Sequence, residues 1–220
     1  MLITLILKRG LITLNNLIEE IETLKQSSTA KVIKKRLESF KANGYKSEDD
    51  VFSELCYCIL TANCSAESCL NIERNLYGSY HRYNQESLTD LLRLHRYRFP
   101  NTRAAYIANA TMYKSKIKTR LAALQRHPRR NWLVEQIKGI GYKEASHFLR
   151  NIGYFNYAII DRHILFILAT SGIISPPKTI TKKTYLQIEQ TMEEIADHTN
   201  LSLAGLDLYL WYMRTGKILK

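Results

Sequence analysis

The sequence predicts an all-α protein. Apolar residues recur at helical spacing along most of the 220 residues, and no stretch alternates convincingly as a strand would. Only nine glycines and four prolines interrupt this pattern, and Pro176 and Pro177 mark a clear connection. The pattern predicts helices over 12–26, 29–43, 48–62, 65–77, 86–94, 100–114, 116–126, 130–138, 142–152, 161–171, 181–197 and 201–214.

The N-terminal residues can be interpreted in more than one way. The first predicted helix rests on apolar residues three or four apart, namely Leu14, Leu17, Ile18, Ile21 and Leu24. Residues 2–7 are also apolar, but this run is too short to span a bilayer and lacks the basic start and cleavage site of a signal peptide. Residues 1–16 either continue the helix, form an extension or reflect an upstream start. We expect a soluble, intracellular protein that is cytoplasmic or nucleoid-associated and has no membrane partner.

Composition narrows the class of partner. A net charge of +12 indicates a polyanionic partner such as nucleic acid, although basic proteins also bind acidic proteins or membrane surfaces. The basic residues do not form a tail: they concentrate in separate segments at 31–36, 126–130 and 178–183, each of which is typical of a solvated helix face or linker. With 45% hydrophobic residues, the chain can bury a sizeable core as one domain or two small ones.

The four cysteines do not predict a metal site. Cys56 and Cys58 enclose a single residue, whereas structural zinc sites use pairs that enclose two to four. Cys64 and Cys69 enclose four residues, so the four cysteines offer at most one such pair, whereas structural zinc sites typically use two. We therefore expect small core residues and unpaired thiols in a reducing compartment, with no metal.

A helix, two-glycine turn and helix are predicted over about 131–152. Gly139 and Gly141 flank one apolar residue, Ile140, and apolar residues at helical spacing lie on both sides. Such a turn can direct uncovered backbone N–H groups at a phosphate. The alternative is an ordinary helix C-cap followed by a turn.

Lys143 would occupy the first turn of the second hairpin helix. A cation is unfavourable there because it faces the positive end of the helix dipole, so the position suggests a use for the amine. The same field favours the neutral form that a nucleophile requires. The alternative is a solvated lysine that contacts DNA or nothing.

Four separated segments resemble one known family. They are 138–151, which contains the hairpin lysine, 55–63, 98–107 and 206–217. Together with the later Asp161, they resemble the helix–hairpin–helix DNA glycosylase superfamily and, within it, the type-2 8-oxoguanine glycosylase/lyase branch found mainly in archaea. The resemblance extends from about Leu17 to the last residue.

The resemblance implies two helical lobes with the hairpin at the cleft. One lobe would be discontinuous and consist of residues 1–47 and 162–220. The central lobe would span 48–161. Periodicity alone does not predict this pairing.

The resemblance also implies the chemistry. Lys143 would attack the sugar C1′, expel the base and form a Schiff base whose β-elimination cleaves the strand 3′ to the abasic site. Because a lysine is ordinarily protonated, with a reference pKa of about 10.4, the site must favour the neutral amine or the leaving base must help remove the proton. Asp161 would lie across the cleft, stabilise the cationic sugar and assist proton movement. It also suits the N-cap of the helix beginning near Arg162, and both roles can coexist.

A lesion must leave the base stack before its sugar can be attacked, so a base pocket is expected. The resemblance implies that Phe99 and Trp211 sandwich the extruded base, although aromatic residues are commonly core residues. It further implies that the terminal carboxylate of Lys220 reads the donor edge of the purine. Asp207 is a weaker candidate for this pocket, and Asn63 could wedge into the vacated gap.

The expected DNA contacts come mainly from the hairpin residues Gly139, Ile140 and Gly141. His163 could donate to a phosphate at the start of its helix, or it could be a partly buried polar residue. His147 lies four residues after Lys143 on the same helix face, where it could perturb the lysine, although packing or capping is the more typical role.

These expectations combine into a bifunctional DNA glycosylase and abasic-site lyase that removes 8-oxoguanine from double-stranded DNA. The alternatives are a glycosylase for another oxidised base and a non-catalytic module that grips the DNA backbone. We expect no cofactor, because the substrate supplies the electrophile. No protein partner is evident, so a monomer is expected.

Overall fold

The computed structural model describes the backbone of residues 2–64 and 66–220 and the side chains of residues 14–64 and 67–220. Every regular element within these residues is helical, which confirms the predicted all-α class. The α-helices are α1 (Leu2–Lys25), α2 (Ser28–Asn43), α3 (Glu48–Thr61), α4 (Ala66–Leu76), α5 (Gln85–Leu94), α6 (Pro100–Ala110), α7 (Ile117–Ala122), α8 (Arg126–Gln136), α9 (Tyr142–Asn151), α10 (Arg162–Thr170), α11 (Lys182–His198) and α12 (Leu203–Thr215). Short 3-10 turns occur at Tyr80–Arg82 and Thr111–Tyr113.

Four helix boundaries differ clearly from the predicted ones, among them the end of α7, which lies at Ala122 rather than at residue 126. The backbone of α1 begins at Leu2, so residues 2–16 continue the first helix; the side chains of residues 2–13 lie outside the described part. Helix α6 ends at Ala110, where a 3-10 turn follows. Helix α8 begins at Arg126 despite Pro128. Proline is tolerated there because the first-turn N–H groups of a helix have no partner within the helix.

Side-chain caps define where several helices begin. Ser47, Asn84, Thr181 and Ser202 each accept a hydrogen bond from a first-turn N–H of the following helix. Each cap satisfies a backbone donor that the helix itself leaves unpaired. These local bonds explain why the starts of α3, α5, α11 and α12 lie close to the positions predicted from sequence.

The chain divides into two compact units, and unit 1 comprises residues 1–39 and 155–219. Helix α12 packs against α1, α10 and α11 in this unit. The non-helical segment leading to α10 is attached to α11: the N–H of Ala158 donates to Glu189 at 2.9 Å, and the hydroxyl of Tyr185 donates to the Ala158 carbonyl at 2.7 Å. These bonds place the residues before Asp161 in unit 1.

Unit 2 comprises residues 40–154 together with Lys220. Helix α3 lies at its centre and contacts α4, α6, α7 and α9. Every residue of α3 from Val51 to Thr61 is buried, whereas its first turn is acidic and more exposed. A helix that is buried all round must form the core of its unit.

The unit boundaries lie at 39/40 and 154/155, whereas the resemblance implied 47/48 and 161/162. The last turn of α2 belongs to unit 2 because Asn43 donates to the carbonyl of Asn151 at 3.2 Å. Lys220 also belongs to unit 2, which the implied division did not anticipate.

The cysteines are thiols in or near the core of unit 2. Cys56, Cys58 and Cys69 are buried, Cys64 is half-buried, and none is in a disulfide. Burial raises the pKa of both the Cys56 and the Cys58 thiol well above the ordinary value. Among the described residues, no group of three or more His, Cys, Asp or Glu side chains is arranged to hold a metal ion. None of the described helices is long and apolar enough to cross a membrane.

Candidate functional site

A tight turn over residues 137–141 joins α8 to α9. Gly139 has a left-handed φ of +85°, and a Cβ at this position would lie 2.3 Å from the ring of Tyr106. The N–H of Ile140 donates to the carbonyl of Ile137 at 3.2 Å, and both side chains are buried. Glycine is therefore required at position 139 by its backbone conformation and by the close approach of an aromatic ring.

Helix α9 begins at an exposed glycine cap. Gly141 has no side chain that could accept from the first turn, and its own N–H donates to Oε2 of Glu144 at 3.3 Å. The first N–H groups of a helix have no acceptor within it, and they carry the positive end of the helix dipole. The backbone of Lys143 and Glu144 at this exposed start is therefore suited to a phosphate.

Lys143 is the second residue of α9. Its Nζ lies 3.0 Å from Oε1 of Glu144, and the two side chains are 27% and 13% exposed, respectively. The carboxylate offsets the unfavourable position of a cation at a helix N-terminus. Sequence reasoning missed Glu144, although an acidic residue three positions after a helix cap is a recognisable signal of a capping box.

The remainder of α9 is buried and holds its first turn in place. All residues from Ala145 to Asn151 are buried, and the helix packs against α3 and α8. Polar contacts add to this packing: Nη1 of Arg130 donates to Oγ of Ser146 at 3.3 Å, and Nδ2 of Asn151 donates to Glu54 at 3.2 Å. Lys143 is thus presented at the surface by a helix that is fixed along its length.

His147 is buried one turn below Lys143. Its ring meets Tyr57 edge-on, with 5.7 Å between the ring centroids. Burial lowers the pKa of His147 well below its ordinary value, and the charges of Arg150, Lys143 and Lys220 act in the same direction. A neutral, packed imidazole agrees with the packing interpretation of this residue.

Lys220 lies in unit 2 with its side chain inserted among buried residues. Its ammonium group is 2.7 Å from Glu54 and also pairs with Glu73. His147 forms a hydrogen bond to the backbone of Lys220. The structure therefore places this predicted base-recognition residue beside the helix that carries Lys143. Nothing in the sequence identified Glu54 or Glu73 as its partners.

Asp161 is the N-cap of α10, as its sequence position suggested. Its Oδ1 accepts from the N–H groups of His163 and Ile164 at 2.8 and 2.9 Å. Because both cap bonds use Oδ1, the second oxygen can serve another partner. The carboxylate is half-buried and is oriented by the helix that it caps.

His163 and Trp211 contact each other in unit 1. Their rings meet edge-on with 4.6 Å between centroids, and Nε of Arg162 donates to Nε2 of His163 at 3.3 Å. Trp211 is half-buried rather than a core residue, and its indole N–H is buried without a hydrogen-bond partner among the described groups. The His163 ring therefore supports Trp211, a contact that the sequence did not predict.

The other predicted residues have distinct environments. Phe99 is half-buried at the start of α6, and the Arg98 guanidinium lies 4.9 Å from its ring centroid. Asn63 is exposed after α3, with a left-handed φ of +61°. Asp207 is buried within α12. The predicted residues thus form two sets: Asp161, His163, Asp207 and Trp211 in unit 1, and Asn63, Phe99, Gly139, Ile140, Gly141, Lys143 and Lys220 in unit 2.

Comparison with known sequences identifies close similarity. Residues 33–201 match the protein family described as 8-oxoguanine DNA glycosylase. A protein of Methanocaldococcus jannaschii named 8-oxoguanine DNA glycosylase/AP lyase is 45% identical over 206 residues, which cover 93% of this chain and 99% of that protein. A protein of the same name from Korarchaeum cryptofilum is 40% identical over 208 residues, covering 94% and 99% of the two chains.

Solved structures show the same relationship. The M. jannaschii 8-oxoguanine glycosylase/lyase, crystallised with a 15mer DNA containing 8-oxoguanine, superposes with a TM-score of 0.89 at 45% identity, over 93% of this chain and 99% of that one. The 8-oxoguanine DNA glycosylase of Thermotoga maritima superposes with a TM-score of 0.88 at 36% identity, over 94% and 100% of the two chains.

Proposed function

The chain belongs to the 8-oxoguanine DNA glycosylase family, and on this basis we propose that it excises 8-oxoguanine from double-stranded DNA and cleaves the strand at the resulting abasic site. The observation that carries the proposal is Lys143 on the first turn of α9, directly after a glycine turn with an exposed cap. An amine beside helix N-terminal N–H groups that lack an acceptor within the helix supports attack on a nucleotide held through its phosphate. The DNA substrate also locates the enzyme inside the cell, with the nucleoid.

Lys143 is the nucleophile in this proposal. Its neutral Nζ attacks C1′ of the damaged nucleotide, and the bond from C1′ to the base breaks. Opening of the sugar ring leaves a Schiff base between C1′ and Nζ. Loss of a proton from C2′ then breaks the C3′–O bond, which releases the 3′ phosphate and cleaves the strand. The amine must lose a proton before it attacks, and Glu144 is in ion-pair contact with it.

Asp161 stabilises positive charge on the sugar as the base departs. The two cap bonds from α10 orient its carboxylate, and an oriented anion stabilises a developing cation without reorganising. The aspartate therefore combines the structural role of an N-cap with an electrostatic role in the reaction.

The remaining residues bind DNA and the extruded base. The turn of Gly139, Ile140 and Gly141 lies against the phosphate, which is bound by the first-turn N–H groups of Lys143 and Glu144, because the N–H groups of Ile140 and Gly141 already donate to Ile137 and Glu144. Asn63 occupies the gap left by the lesion, and its exposed position after α3 supports this role. His163 is assigned a further DNA contact, in addition to its ring contact with Trp211.

Four of the predicted residues are assigned to recognition of the extruded base. Phe99 and Trp211 have half-buried aromatic rings that are suited to stacking. Lys220, through its main chain, and Asp207 provide polar recognition.

Borohydride trapping tests the proposal directly. The protein is incubated with a duplex that contains one 8-oxoguanine, and in parallel with an undamaged duplex and with one that contains an oxidised pyrimidine. We expect a covalent adduct only on the 8-oxoguanine strand. Adducts on the pyrimidine lesion alone would reassign the substrate. Tight binding to every duplex without any adduct would indicate a non-catalytic DNA-binding module.

A lysine variant identifies the nucleophile in the same assay. Lys143→Gln is expected to abolish the adduct while retaining DNA binding, because it removes the amine but leaves the hairpin backbone. Lys138→Gln is the matched control, since it removes the other lysine of the hairpin and should still allow trapping. Undiminished adduct formation by Lys143→Gln would refute the assignment.

A further inference from the structure

The side chain of Lys220 is largely buried in unit 2, in a site formed by Glu54 and Glu73 that we call the socket. Its ammonium group is 2.7 Å from Oε1 of Glu54 and forms a second ion pair with Glu73. The Lys220 side chain is only 12% exposed, and the two acidic side chains are 2% and 7% exposed. Exposed ion pairs contribute little, but a pair withdrawn from water in this way fixes the geometry of its members.

Two further contacts hold other parts of Lys220. Its Nζ lies over the ring of Tyr57, 4.8 Å from the centroid. His147, which packs edge-on against Tyr57, forms a hydrogen bond to the Lys220 backbone. The side chain and the main chain of Lys220 are therefore held by different elements of the same unit.

The two buried glutamates favour a cation in the socket. Glu54 and Glu73 are both buried, and Glu54 also accepts from Nδ2 of Asn43 and of Asn151, at 3.3 and 3.2 Å. Burial raises the pKa of Glu54, Lys220 acts against this change, and the charge of Glu73 adds to it. Two buried carboxylates without a counter-ion would be costly, so occupancy of the socket by Lys220 is favoured.

We propose that Glu54 and Glu73 are specificity-determining positioning residues, which seat the Lys220 side chain and thereby fix its main chain for recognition of the extruded base. The inference rests on the proposed function, in which Lys220 contacts the base. Neither carboxylate needs to touch DNA. A displacement of about 1 Å in a group that positions a substrate can lower a rate by about a hundredfold. Loss of the socket should therefore lower the rate of base excision measurably.

Glu73→Gln tests the inference because it removes a charge while preserving shape, and Glu73 lacks the two asparagine bonds of Glu54. We expect single-turnover excision of 8-oxoguanine to fall about tenfold or more. Cleavage of a preformed abasic site, which has no base to recognise, should stay near the wild-type rate and so report an intact fold. The matched control is Asp49→Asn, which breaks the ion pair with Lys114 elsewhere in unit 2 and should retain excision.

A double-mutant cycle separates this role from general stability. Lys220→Met should lower the excision rate as Glu73→Gln does. The double variant should be no slower than either single variant, because both changes remove the same ion pair between Lys220 and Glu73. Additive losses would overturn the inference, as would unchanged excision by Glu73→Gln or an equal loss of abasic-site cleavage. Wild-type protein that fails to excise 8-oxoguanine would instead overturn the proposed function itself.

Discussion

Nζ of Lys143 lies 3.0 Å from Oε1 of Glu144, and the other oxygen of the same carboxylate accepts the N–H of Gly141 at 3.3 Å. One side chain thus links the amine to the turn that precedes it. A phosphate at the start of α9 and an attacking amine would both alter the surroundings of Glu144. A change at Glu144 is therefore expected to affect both the amine and the glycine turn.

Glu144→Gln should slow Schiff-base formation without disturbing the glycine turn. The amide oxygen can still accept from the N–H of Gly141, but the ion pair that holds Nζ of Lys143 is lost. We expect the rate of adduct formation, measured by single-turnover borohydride trapping, to fall because the amine is less well positioned, while binding to the damaged duplex is retained. An unchanged trapping rate would show that the ion pair does not position the amine.

Gly139→Ala should be much more damaging than the same change at another left-handed glycine of unit 2. The new Cβ would lie 2.3 Å from the Tyr106 ring, whereas at Gly78 the nearest atom would be 3.9 Å away. Both variants incur backbone strain of about 1–2 kcal/mol, and the clash adds about 1–3 kcal/mol at position 139. Urea unfolding measures the difference, and equal costs at the two positions would show that the Tyr106 contact is unimportant.

Asp161 offers a way to separate capping from chemistry. Asp161→Asn can still accept the two first-turn N–H groups of α10 but carries no charge, so stability should change little while 8-oxoguanine excision falls. Asp161→Ala should lose excision and also about 1 kcal/mol of stability. Excision that is normal in Asp161→Asn and impaired only in Asp161→Ala would limit this residue to its structural role.

His147 should make the protein less stable in mild acid. Burial holds its pKa below the ordinary value of 6.5, so the unfolded chain binds a proton that the folded protein resists. Stability attributable to this residue is complete above pH 6.5 and declines as the pH falls towards the native value, by up to about 1.4 kcal/mol per pH unit.

The corresponding variant is His147→Gln, which keeps a donor for the Lys220 backbone but does not titrate. Denaturant unfolding between pH 6.5 and 5 should give a flatter stability profile for the variant than for the wild type. Parallel profiles would assign the decline to other groups.

Several features of the site could be predicted because their causes are local in the chain. Helical periodicity depends on residues three or four apart, and it located the α-helices along the sequence. The two glycines of the hairpin, the first-turn position of Lys143 and the capping position of Asp161 likewise depend on a few neighbouring residues. The structure places each of them in the predicted local setting.

The surroundings of these residues were decided only by the tertiary structure. Glu73 and Lys220 are separated by 147 positions in the chain, and Glu54 reaches the same ammonium group from another helix. Tyr106 also contacts Gly139, and His163 contacts Trp211. These residues are distant in the chain, and no sequence pattern predicted either contact. The sequence by itself determined the helices, the glycine turn and the reactive residue types, because backbone preference and capping act over one or two turns. Which buried charges and rings meet depends on how the helices pack, so only the folded chain decided how Lys220 is seated and which residues surround Lys143.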